Sequence, residues 1–187
     1  MNLPFDLTIF EILLIGALFF IASSIQGILG YGFAVLSSPI LVQIDPALVP
    51  VLLSLLALPL TIKIFRREQS EIRWYPMKNL LLGRIVGGPL GLLCLNYLNQ
   101  RVLSTTVGLI VLFAGLASYF GWTLERNSRN SFNAGMFSGI FAMIAGVGGP
   151  PVAILYRDTK GKEFRPSLNA VFNFGILITL PLLLIDA

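Results

Sequence analysis

Gln26-Gly27-Ile28-Leu29-Gly30-Tyr31-Gly32 and Gly146-Val147-Gly148-Gly149-Pro150-Pro151 decide the fold, because each lies deep inside an uncharged apolar run, residues 12–44 and residues 130–156. As continuous helix the first run extends roughly 50 Å against a hydrocarbon core of about 30 Å, so it must bend, tilt strongly or unwind. The glycines mark where. A kink needs one glycine or proline; the second cluster frees the backbone and, through Pro150 and Pro151, removes two amide donors. Backbone polar groups freed at membrane depth are tolerated only where protein or a water-filled cavity satisfies them. Paired breaks therefore predict a substrate site beside them.

Composition sets the class. The chain is 56% apolar and 12% charged, with a mean hydropathy of +0.84, and several runs reach spanning length, so an all-α polytopic membrane protein is expected. Asp6 and Glu11 precede the first apolar run where a secretory signal carries basic residues, and the run exceeds a signal core, so it is read as a retained span. The lone Cys94 offers no disulfide framework and no Cys/His cluster. Histidine is absent, which removes zincin motifs, a Ser-His dyad and histidine-ligated haem. No cofactor is expected.

Six spans follow from the hydropathy: 8–41 (broken), 47–65, 77–97, 102–121, 132–156 (broken) and 166–185. Asp45 and Pro46 suit the start of the second, as cap and first-turn residue. Trp74, Tyr75, Tyr119 and Trp122 belong to one interfacial belt. No linker separates a soluble domain, so residues 1–187 form one transmembrane domain.

A faint repeat runs through it. Placing Gly30-Tyr31-Gly32 over Gly146-Val147-Gly148 brings Pro59 near Pro181. Residues 1–121 then form a first unit of about four spans, and residues 132–187 a second, incomplete unit of about two. This predicts either a shortened two-fold architecture or a fragment needing a partner, whether missing C-terminal helices or a second copy in a homo-oligomer.

Gly83, Gly87 and Gly91 on the third span, and Gly135 and Gly139 on the fifth, recur at every fourth position and predict smooth faces for close helix contact. Arg84 is the one basic residue well inside a span, at an insertion cost of roughly 3 kcal/mol. It faces the protein interior as an anion contact or snorkels toward the headgroups past Lys78. Asn169 and Asn173, one turn apart on the last span, point one way, as interhelical hydrogen bonders or as a polar lining. Gln26, Ser37 and Ser38 flank the first break and share those alternatives. Candidate substrate contacts are therefore these six polar residues with Gly27, Gly30, Gly32, Gly146, Gly148, Gly149, Pro150 and Pro151. Strict alternation of spans puts seven cations on the side of the basic 66–76 loop, Lys63, Arg66, Arg67, Arg73, Lys78, Arg126 and Arg129. The other side takes five, Arg101, Arg157, Lys160, Lys162 and Arg165. That is a narrow margin for the positive-inside rule, and a re-entrant break would change it.

The Gly146–Pro151 cluster followed by Val152 and Tyr156, the short basic loop with Arg165, and Gly27-x-x-Gly30-x-Gly32 with Pro39 resemble the sulfite exporter TauE/SafE family over essentially the whole chain. That resemblance implies a multi-pass inner-membrane permease for sulfite, sulfonate-type or related organosulfur anions, built from two four-helix halves. Its partners would be membrane lipids and a small anion, with no nucleic acid. No phosphate-binding Gly-x-x-x-x-Gly-Lys-[Ser/Thr] loop is present, which leaves secondary transport or facilitated diffusion. No Asp, Glu or His lies deep in a span as an obvious proton relay. The rival readings are a non-transporting membrane scaffold or assembly subunit, an inactive transporter fragment and, more distantly, an intramembrane protease using Ser37, Ser38 or Ser138 without histidine.

Overall fold

The computed structural model describes residues 9–44, 49–159 and 161–186. Among them the regular elements are helices: α1 (Ile9–Leu29), α2 (Phe33–Ile44), α3 (Val49–Glu68), α4 (Trp74–Tyr97), α5 (Gln100–Tyr119), α6 (Ser128–Ala145), α7 (Gly149–Tyr156) and α8 (Gly161–Asp186), with a 3-10 turn Gln69–Glu71 after α3. Asp45, Pro46 and the cap expected of them lie outside the described residues. Among the described helix starts, α5 and α6 carry side-chain caps, whereas α4 begins after Arg73 without one. The Asn99 side chain accepts from Val102 N at 3.0 Å to start α5, that of Asn127 accepts from Asn130 N at 2.8 Å to start α6, and Gly146 ends α6 at φ 67°.

Five helices, α1, α3, α4, α5 and α8, are long and apolar enough to cross a membrane. The fifth expected span begins with α6, which carries Arg129, Asn130 and Asn133 in its first turns. One face of it is enclosed by protein, with Ser131, Ala134, Gly135, Ser138 and Gly139 all buried, while Arg129 and Phe137 are exposed. Side chains such as those of Phe20, Leu109 and Leu177 are exposed, as lipid-facing positions of a spanning helix would be.

The glycine ladders predicted for contact face each other. Gly83 abuts Phe132, Gly87 abuts Met136 and Gly91 abuts Ile140, while Gly135 and Gly139 return the contact on Leu80, Arg84 and Gly87. Partner numbers rise together, so α4 and α6 run parallel. A Cβ built at Gly91 would lie 2.7 Å from Met143 Cβ and 2.9 Å from Ile140 Cα. Without hydrophobic drive between helices in lipid, this backbone approach supplies the dispersion that holds the pair.

Both breaks reverse the chain. Had α2 continued the line of α1, Phe19 and Phe33 would be roughly 20 Å apart at 1.5 Å per residue. Their ring centroids lie 5.6 Å apart, and Ala22, Phe33, Leu41, Val49 and Leu53 form one buried cluster, so α2 folds back along α1. The turn is built at Gly30 (φ 90°) and Gly32 (φ 126°), a backbone that L side chains rarely adopt. Likewise α7 returns along α6. Tyr156 at the end of α7 stacks its ring under the Arg126 guanidinium at 5.2 Å, just before α6 begins, and Ser138 in mid-α6 donates to Gly148 O at 2.5 Å. Glu163 of α8 accepts from Arg126 at 2.6 Å and pairs with Arg73 at 3.6 Å. The C-terminus of α7 and the N-termini of α4, α6 and α8 thus share one face.

That reversal changes the charge count. The second broken segment leaves and returns on the same side, so Arg157, Lys162 and Arg165 join the basic 66–76 loop instead of opposing it. Arg101 alone of the described cations remains at the opposite end. Lys160 lies outside the described residues.

Candidate functional site

The two breaks meet. Gly149, the first residue of α7, places its α-carbon so that a built Cβ would touch Tyr31 Cβ at 3.7 Å and Phe172 Cζ at 3.5 Å. Behind this contact lies a cavity of about 50 Å³, above the roughly 10–15 Å³ that one water requires. Gln26, Gly32, Arg84, Gly146, Gly148 and Gly149 of the expected residues line it.

Arg84 is its one charged lining residue. It is 4% exposed, so it does not snorkel: its guanidinium turns inward, and Nη1 donates to Ser138 Oγ. That hydroxyl in turn donates to Gly148 O, tying the cation to the second break. Gly175 makes room for the guanidinium on α8, since a Cβ there would overlap Nε, Cζ and Nη2. Among the described residues, Nε has no hydrogen-bond partner and no Asp or Glu lines the cavity. A buried cation so placed leaves donor capacity unmet.

Most of the other expected residues hold the turns and helices together, and Gln26 does so besides lining the cavity. Asn169 Nδ2 donates to Gly30 O at 3.0 Å and to Arg165 O at 2.8 Å, tying α8 to the first turn. Asn173 Oδ1 accepts from Thr61 Oγ1 at 2.9 Å between α8 and α3. Gly27 O accepts from Arg165 at 2.7 Å, and Arg165 also pairs with Glu68. Gln26 Oε1 accepts from Phe33 N at 3.2 Å, capping the free start of α2 across the turn. Ser37 and Ser38 are fully buried on α2 without partners and away from the cavity, as is Pro151 on α7. Gly30 is packed against Arg165 and does not line the cavity, whereas Gly148, at φ −85°, is required for space and not for a left-handed backbone.

Sequence reading passed over Ser54, Thr61 and Thr179, which add hydroxyl groups to the lining, and Tyr31. Ser54, Ala57 and Thr61 sit at helical spacing on one face of α3, a signal that was present. A second, larger cavity of about 800 Å³ lies toward the basic face, lined by Leu29, Tyr31, Glu68, Ser118, Pro150 and Arg157 among others.

The family model of the sulfite exporter TauE/SafE matches residues 15–186. No curated protein and no solved structure matches.

Proposed function

The chain belongs to the sulfite exporter TauE/SafE family of membrane transporters, and on that premise we propose that it is a secondary transporter or facilitator for sulfite and related organosulfur anions. Its substrate site is the cavity between the two breaks. One observation carries this reading: a guanidinium buried, among the described residues, without a carboxylate and with its Nε unpaired, on a cavity where two chain reversals meet. An oxyanion entering there supplies the missing charge and acceptors, and the planar fork suits it better than an ammonium would. The starts of α2 and α7 add positive dipole ends, although Pro150 and Pro151 leave α7 few free amides to offer.

The paired hairpins support an inverted repeat. Each unit reads long helix, glycine turn, short returning helix, long helix, and α1 and α6 enter from opposite ends. The gathering of cations on one face favours that face as cytoplasmic in an inner membrane.

Sulfite flux into proteoliposomes tests the site. Arg84→Lys and Arg84→Leu are each expected to cut flux roughly tenfold or more, the equivalent of one lost charge-assisted hydrogen bond. Protein amount and monodispersity are checked for each variant. Lysine transporting as well as arginine would remove the guanidinium from the site, and no flux from the parent chain would favour the scaffold.

A further inference from the structure

Among the described residues, Tyr31 alone lines both the 50 Å³ cavity at Arg84 and the 800 Å³ vestibule at the basic face. The wall between them is thin, since Gly149 lines the inner cavity and Pro150 the outer. We propose that the Tyr31 ring is an inner gate, closing the passage from the vestibule to the anion cavity and swinging aside to admit substrate.

The mounting of the ring suits movement. Tyr31 stands in the non-helical link between α1 and α2, flanked by Gly30 and Gly32, both at positive φ. Glycine on each side spares the link the steric cost of a Cβ when the dihedrals about Tyr31 change, while Asn169 Nδ2 on Gly30 O and Arg165 packed against Gly30 anchor its start. In the closed position Tyr31 packs against the buried cluster that includes Val152, Leu155 and Leu168, and three further contacts orient its ring. The hydroxyl meets Ser118 Oγ of α5 at 3.2 Å, the ring stands edge-on to Phe164 of α8 at 6.2 Å between centroids, and its inner edge rests on Gly149. Those elements converge on the vestibule, so ring displacement opens toward space that already exists.

This rests on the cavity being the anion site, and the test is chosen to separate the two. In a Cys94→Ala background, Ser54→Cys places a thiol in the inner cavity, where the native serine is 9% exposed. Its reaction with a water-soluble thiosulfonate reagent is timed in purified protein without any anion. Tyr31→Ala is expected to speed labelling at least about tenfold. Tyr31→Phe and Ser118→Ala, which keep the ring and remove only the latch, should each speed it by about threefold, a share of one neutral hydrogen bond. Equal rates in parent and Tyr31→Ala protein overturn the gate; if Tyr31→Ala does not fold, equal rates in both latch variants do so. Arg84-independent flux alongside accelerated labelling would remove the anion site and leave the gate standing.

Discussion

Adding a single methyl at Gly87 provides the sharpest test of how the bundle is held. A Cβ there would fall 2.8 Å from Met136 C and 2.9 Å from Met136 Cα, and closer still to Met136 O. None of these is a flexible side-chain end, so α4 and α6 must move apart by roughly an ångström. Overpacking of this kind costs about 1–3 kcal/mol. Here the separation also strips contact from Gly83, Gly91 and Gly135 and strains the Arg84–Ser138 hydrogen bond, so the upper end is expected. Scaled as for soluble domains of similar length, that lowers Tm by about 5–10 °C. The natural control is internal. Gly16, Gly108 and Gly115 are helical glycines at which a built Cβ meets nothing within 4 Å. Alanine at any of them should leave Tm unchanged or raise it, since alanine favours helix by up to about 1 kcal/mol over glycine. Thermal melts of purified Gly87→Ala and Gly115→Ala, followed by size-exclusion fluorescence, read the difference. Equal Tm for the two variants would refute the backbone contact between α4 and α6.

Cysteines introduced at Gln69, Asn127 and Asp158 should all label from one side of the membrane and one at Asn99 from the other; Asp158 labelling with Asn99 would mean that α7 continues across and does not return. Gly148→Ala should abolish sulfite flux while the protein stays monodisperse, because a Cβ there lies 3.0 Å from Arg84 Nη1 and 2.9 Å from Ser138 O; flux at the parent level would exclude the second break from the path. Glu68→Gln should destabilise by about 1–3 kcal/mol, since it neutralises the partner of Arg165 where both side chains are largely shielded, at 17% and 26% exposure; an unchanged melt would show that the α3–α8 tie contributes nothing.

Much of the helical architecture was legible in the residues. Hydropathy length gave the four unbroken spans to within about five residues, and the two broken ones proved to be reversals. The small-residue ladders announced their own use, since spacing of four puts glycines on one stripe and lipid offers that stripe no better partner. The candidate site was legible in part. The glycine breaks and Arg84 were visible as violations of what a spanning helix prefers, whereas Ser54, Thr61 and Thr179 break no local rule, and Tyr31 stood out only as part of the first break.

By itself the sequence determined that this chain is a polytopic helical membrane protein, where its helices run and where they must break, because burial in hydrocarbon and backbone satisfaction act locally along the chain. It did not determine which way the chain leaves a break. Glycine licenses a reversal as readily as a kink, and the choice falls to contacts between residues far apart in the chain, such as Tyr156 under Arg126 and Asn169 on Gly30. The same holds for Arg84. Its long side chain can reach headgroups or the interior, and Ser138, brought alongside by the α4–α6 glycine contact, together with the space left at Gly175, turns it inward.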